Sequence, residues 1–113
     1  MTTYIGNGFS PSMLNPNTVS IVRFSPYSLQ QVKAQLELGF FSVVGHMELC
    51  AKLTDLLGIT ILYSRATIRL RTDVDTLIIA SVSRERVTDY SDMPFCEVSF
   101  MACWVEDERP WYE

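Results

Sequence analysis

Histidine is the scarcest chemically versatile residue in this sequence: His46 stands alone among 113 residues. A metal site made only of histidines within one protomer is therefore excluded. Cysteine is also sparse. Cys50, Cys96 and Cys103 are odd in number, and their spacings match no zinc pattern. They read as reduced, buried thiols of a cytosolic protein. No run approaches about 20 consecutive apolar residues, so no membrane span is expected. The opening Met-Thr-Thr-Tyr carries no signal-peptide character. Charged residues make up only 19 %, which argues against a disordered tail or a coiled coil. Basic residues are outnumbered by acids, nine to thirteen, for a net charge of −4. A general duplex-DNA binder would show a clustered basic excess instead. A small anionic ligand is still compatible with that balance, because a few local arginines suffice to hold one. There is no internal repeat, low-complexity block or linker.

What is present fits one small domain. Apolar residues are 48 % of the chain, and a chain of this length buries roughly two-thirds of its unfolded surface. Residues 3–9 read as a short strand entering a loop, whose two glycines permit close backbone approach. Ser10-Pro11-Ser12 and Asn15-Pro16-Asn17 are turn material. Thr18 to Phe24 is β-branched and alternating, which predicts a strand. Ser28 with Gln31 forms a capping box. Leu29, Val32 and Leu36 then make the inward stripe of a helix that Gly39 ends. Phe40 to Val44 is a short strand or a buried connection.

A second helix is predicted from Gly45 to Leu57. Its apolar face is Leu49, Leu53, Leu56 and Leu57, Gly58 caps it, and His46 falls in its first turn. Residues 59–72 are extended, with Ala66, Ile68 and Leu70 alternating against Arg65, Thr67, Arg69 and Arg71. Asp73-Val74-Asp75 reads as a turn and Thr76 to Ser83 as a central strand. Residues 84–94 are loop-like. Phe95 to Val105 is a long final strand, and Glu106-Asp107-Glu108 a solvated acidic tail. Trp111 and Tyr112 pack or mark a contact surface. The predicted fold class is α/β (α+β): a mixed β-sheet flanked by helices, with part of the sheet antiparallel.

Few residues are candidates for chemistry. A helix N-terminus carries unsatisfied N–H groups and partial positive charge, which suits a phosphate. A histidine there, His46, can protonate a leaving oxygen; it can equally serve only to cap or pack. Five of the nine basic residues are arginines between positions 65 and 86: Arg65, Arg69, Arg71, Arg84 and Arg86. Their planar forks match phosphate oxygens, although a solvated strand face looks the same. Asn7, Ser10 and Ser12 lie in the first loop, where small polar side chains can read a base, hold a ribose hydroxyl or only end the strand. Asp89 and Asp92 are a base or loop solvation. No Walker or Gly-x-Gly-x-x-Gly loop is present, and no Ser-His-Asp, Cys-His or paired-carboxylate set can be defended.

The stretch Tyr4-Ile5-Gly6-Asn7-Gly8-Phe9-Ser10-Pro11-Ser12-Met13-Leu14 resembles the opening of the small viral ring nucleases. These are type III anti-CRISPR proteins of archaeal viruses and phages, with relatives on mobile elements. The resemblance continues through Phe41-Ser42-Val43-Val44-Gly45-His46, Ser64-Arg65-Ala66-Thr67-Ile68-Arg69-Leu70 and Asp75-Thr76-Leu77-Ile78-Ile79, covering most of residues 3–83. It implies a homodimer in the host cytoplasm that binds cyclic tetra-adenylate in a pocket spanning the dimer. It implies cleavage to linear products without metal or cofactor, by attack of the ligand's own 2′-hydroxyl on the adjacent phosphorus. By resemblance His46 protonates the leaving 5′-oxygen, Asn7 and Ser10 contact ligand, and Arg65 holds phosphate or helps shape the site.

The family's Gln-x-x-x-Arg-x-x-Glu pattern is altered here to Ser81-Val82-Ser83-Arg84-Glu85-Arg86-Val87-Thr88-Asp89. Arg86 with Asp89 matches after a one-residue insertion, and Arg84 is the other placement. The glutamine is missing, and the segment before the last strand is short. Two further readings therefore stand beside the nuclease. One is a sponge that binds a cyclic nucleotide without cutting it. The other is an inhibitor directed at a host defence protein, acting through Trp104, Trp111, Tyr112 and the acidic residues 106–108.

Overall fold

The computed structural model describes residues 1–82 and 97–110. Among these residues five strands form one sheet: β1 (Thr2–Gly6), β2 (Thr18–Tyr27), β3 (Phe41–Val43), β4 (Asp75–Val82) and β5 (Val98–Pro110). Their spatial order is β2-β5-β4-β1-β3. β1 runs parallel to both β3 and β4, while β5 runs antiparallel to β4 and β2. The fold is thus α+β on a mixed sheet, as the order of elements predicts.

Both helices cover the same face. α1 (Leu29–Glu37) has the reciprocal capping box between Ser28 and Gln31. It buries Val32 and Leu36, but Leu29 stays 37 % exposed at the helix start. The helix closes on Leu38, and Gly39 follows with a positive φ of 111°. α2 (Met47–Leu57) buries Leu49, Cys50, Leu53 and Leu57, with Leu56 at the margin. Gly58 caps it in the left-handed conformation, where a side chain would be strained. These side chains meet Ile5, Ile78, Ala80 and Phe100 from the sheet.

The opposite face has no α-helix among the described residues. Leu77, Ile79, Cys103 and Val105 are covered by Leu70, Ile68, Met13, Leu14 and Phe9. An edge-to-face contact between Phe9 and Phe24, with centroids 5.7 Å apart, pins the covering loop. Burial on both faces explains why β4 is apolar without alternation.

Residues 59–72 are not a sheet strand. Among the described residues, their one ladder contact is a parallel bridge from Tyr63 to Val44. Ile68 and Leu70 alternate because the chain lies extended across the sheet face, tied by the Leu70 N–H to the carbonyl of Met13. Nor is 106–108 a loose tail. β5 continues to Pro110 against β2, which itself reaches Tyr27. There Glu106 accepts from Arg23 at 2.6 Å and Glu108 from Thr72 at 2.8 Å. Pro26 is tolerated because β2 is an edge strand.

Cys50 and Cys103 are buried free thiols, as the sparse cysteine pattern predicts. Burial pushes Cys103 up to about 11 and raises Cys50 as well. Cys96 lies outside the described residues, as do Arg84, Arg86, Asp89, Asp92, Trp111 and Tyr112.

Candidate functional site at the start of the second helix

Parallel pairing brings the carboxyl ends of β1 and β3 to one edge of the sheet. Their register sets Gly6 opposite Val43, so Asn7 and the Val44-Gly45-His46 connection leave side by side. Gly6 permits this spacing: a Cβ there would lie 3.2 Å from the side chain of Val43 and 3.3 Å from that of Leu77. Gly8 faces open space and makes no such approach. The Asn7 Oδ1 accepts the backbone N–H of Gly45 at 3.2 Å. That bond locks the first loop onto the start of α2. Carboxyl ends of adjacent parallel strands, with a helix starting beside them, are where open α/β sheets bind ligands.

His46 is the N-cap of α2 and precedes its first turn. Its backbone is extended, with φ −147° and ψ 110°. Its Nδ1 accepts the Leu49 N–H at 3.3 Å, and its carbonyl accepts the Cys50 N–H at 3.0 Å. An Nδ1 that accepts carries no proton, so neutral His46 holds its proton on Nε2. The Glu48 carboxylate lies 3.5 Å from the same Nδ1. The imidazole keeps 23 % of its surface exposed.

Arg65 reaches the same place from the third direction. The Ser64 N–H donates to the carbonyl of Val44 at 2.9 Å, which moors this segment beside β3. The Arg65 side chain then lies along Gly45. A Cβ on Gly45 would sit 3.1 Å from Arg65 Cγ and 3.7 Å from its Nε. A side chain on Gly45 would press on the arginine, whereas no positive φ calls for glycine there. The exposed guanidinium, the helix N-terminus and the histidine together make a donor-rich corner in an acidic chain, with the Glu48 carboxylate beside the imidazole.

Other candidates sort differently. Ser10 caps a short 3-10 turn (Pro11–Met13) and hydrogen-bonds Ser12, at 3.0 Å between hydroxyls. Its bonds run to its own turn, not to Asn7, Gly45 or Arg65. Arg71 lies at the opposite end of the parallel strands, where Thr2 pairs with Asp75. It grips the buried Asp75 at 2.9 Å and 3.0 Å and also reaches Thr2. Burial pushes the Asp75 carboxyl up, but the hydrogen bonds and charge of Arg71 outweigh it and hold the group below the usual range. Arg71 is structural. Arg69 is exposed. Glu48 is the residue that pattern reading overlooks; its signal is a carboxylate two positions beyond a helix-capping histidine.

A family model described as STIV B116-like matches residues 3–91. The chain belongs to the STIV B116-like family. The match spans every element from β1 to β4, and so includes the whole Asn7, Gly45, His46 and Arg65 corner. Among solved structures, B116 of Sulfolobus turreted icosahedral virus (STIV) is similar, with a TM-score of 0.70 at 17 % identity. That likeness covers 92 % of this chain and 99 % of B116, and it shows a shared STIV B116-like fold. A search of curated proteins finds no match.

Proposed function

We propose that this STIV B116-like protein is a counter-defence ring nuclease that acts as a homodimer. Its substrate is a cyclic oligoadenylate, cyclic tetra-adenylate first among them. The observation that carries this reading is the meeting of Asn7, the Gly45-His46 helix start and Arg65 at one edge of the sheet. The resemblance of those same residues to the viral ring nucleases supplies the substrate class. A cyclic, symmetric ligand also suits a twofold site, which doubles the donors that one acidic chain offers.

The chemistry asks little of the protein. The ribose 2′-oxygen attacks the adjacent phosphorus, the bond from phosphorus to the 5′-oxygen breaks, and a 2′,3′-cyclic phosphate forms. The 2′-hydroxyl proton passes to solvent. The proton for the departing 5′-oxygen comes from His46 Nε2. Arg65 and the first N–H groups of α2 stabilise the phosphorane's charge. The attacking group is already part of the ligand, so positioning supplies much of the acceleration. No metal or cofactor enters this scheme.

The test is incubation of the protein with cyclic tetra-adenylate, followed by chromatography. Linear products support the nuclease. Intact ligand that co-elutes with the protein replaces it with a sponge. Intact ligand without binding, for every cyclic oligoadenylate tried, turns the search to a host defence protein and to the surface around Trp104.

A further inference from the structure

The geometry points to Glu48 as a positioning residue for His46: it takes over the hydrogen bond at Nδ1 when the imidazole carries its second proton. This rests on the ring-nuclease reading above and deepens it. Neutral His46 turns Nδ1 toward the Leu49 N–H at 3.3 Å. A histidine that is to act as an acid must be protonated, and then Nδ1 becomes a donor. Two donors, the imidazolium N–H and the Leu49 N–H, would face each other, and the ring would be driven from its seat. The N-terminus of α2 and Arg65, whose side chain lies along Gly45, are the other charged groups at this corner. Glu48 Oε2, 3.5 Å from Nδ1, is an anionic acceptor already in place. A small rotation of either side chain closes the pair.

The ring can thereby charge without turning over, so Nε2 faces the same way in both protonation states. This is the orienting role that a carboxylate plays behind the histidine of a hydrolytic triad. Here it is supplied from the first turn of the histidine's own helix. The carboxylate is 46 % exposed, so it can move to close the contact and be substituted without disturbing the core.

The experiment uses Glu48→Gln and Glu48→Asp in the full chain, with melting curves to show that each folds. Because His46 is the only histidine, its imidazole NMR signals are unambiguous. At mildly acidic pH, with the carboxylate still ionised, wild-type protein should show an Nδ1–H proton sheltered from exchange with water, and Glu48→Gln, whose neutral amide oxygen is the weaker acceptor, should exchange it markedly faster. With saturating cyclic tetra-adenylate, Glu48→Gln should lower kcat about tenfold or more at unchanged KM, and Glu48→Asp should recover part of it. An Nδ1–H that exchanges as slowly in Glu48→Gln as in wild type, or an unchanged kcat, overturns the inference. A wild-type protein that cleaves nothing overturns the nuclease reading and the positioning role with it. The NMR signal then still shows whether the Glu48–His46 pair forms, so the two failures are distinguishable.

Discussion

Asn7 and Gly45 are 38 positions apart in the chain, yet the side-chain oxygen of one holds the backbone N–H of the other at 3.2 Å. The bond spans the carboxyl ends of two adjacent parallel strands and fixes where α2 begins. Asn7→Ala should therefore act on the site rather than on the fold. The loss of one hydrogen bond costs about 1 kcal/mol of stability. Ligand affinity should fall further, by roughly tenfold, because the first loop and His46 lose their common anchor. Calorimetry on the ligand beside a melting curve separates the two effects.

His46 caps its helix and, in the proposed reaction, supplies a proton. Two substitutions pull these roles apart. His46→Ala removes both, at a cost of about 1 kcal/mol from the lost cap. His46→Asn replaces the cap with a side chain that helix starts favour, so its melting temperature should stay near wild type. Both should bind cyclic tetra-adenylate and neither should cut it. A fully active His46→Asn would remove the histidine from the chemistry.

The contact between Gly45 and Arg65 makes a third prediction. A methyl group on Gly45 would press on Arg65 Cγ from 3.1 Å. The arginine is exposed and flexible, so the protein should still fold, with the guanidinium displaced. Gly45→Ala should weaken ligand binding about as much as Arg65→Ala, by roughly ten- to a hundredfold for one charge-assisted contact. The double variant should be little worse than either alone, since both act on one interaction. Simple additivity in the binding free energies would contradict the coupling.

Asp75 offers a test of the scaffold away from the site. Burial raises its pKa, Arg71 lowers it more, and the net folded value lies below the ordinary one. A depressed carboxylate contributes its stability above the unfolded pKa and loses it as pH falls through the folded pKa. Asp75→Asn should therefore be destabilised by about 2 kcal/mol at neutral pH. Its melting temperature should converge on wild type in acid, below the usual carboxylate range. A constant gap at every pH would show that the charge is not what matters there.

Much of this fold is written in short-range signals. The Ser28–Gln31 box and Gly58 bound their helices as local chemistry demands, and the unbroken apolar run of β4 marks a strand buried on both faces. Residues 59–72 are extended, as their alternation indicates, but an extended segment lying on a sheet shows the same period of two as a strand within it. The reach of β5 to Pro110 is hidden because its acids find partners only after folding, Glu106 in Arg23 and Glu108 in Thr72. At the site, Asn7, His46 and Arg65 are legible through their flanking motifs, and the parallel register brings them together. Ser10 bonds within its own turn, and Glu48 becomes visible only when the fold sets it 3.5 Å from the histidine's Nδ1.

The most direct test of the central claim is a single incubation. Wild-type protein and His46→Asn are mixed with cyclic tetra-adenylate in EDTA, and the products are resolved by chromatography and mass spectrometry. Wild type should yield linear oligoadenylates ending in a 2′,3′-cyclic phosphate, and His46→Asn should leave the ligand intact and bound. Intact ligand in both tubes, or equal cleavage in both, would contradict it.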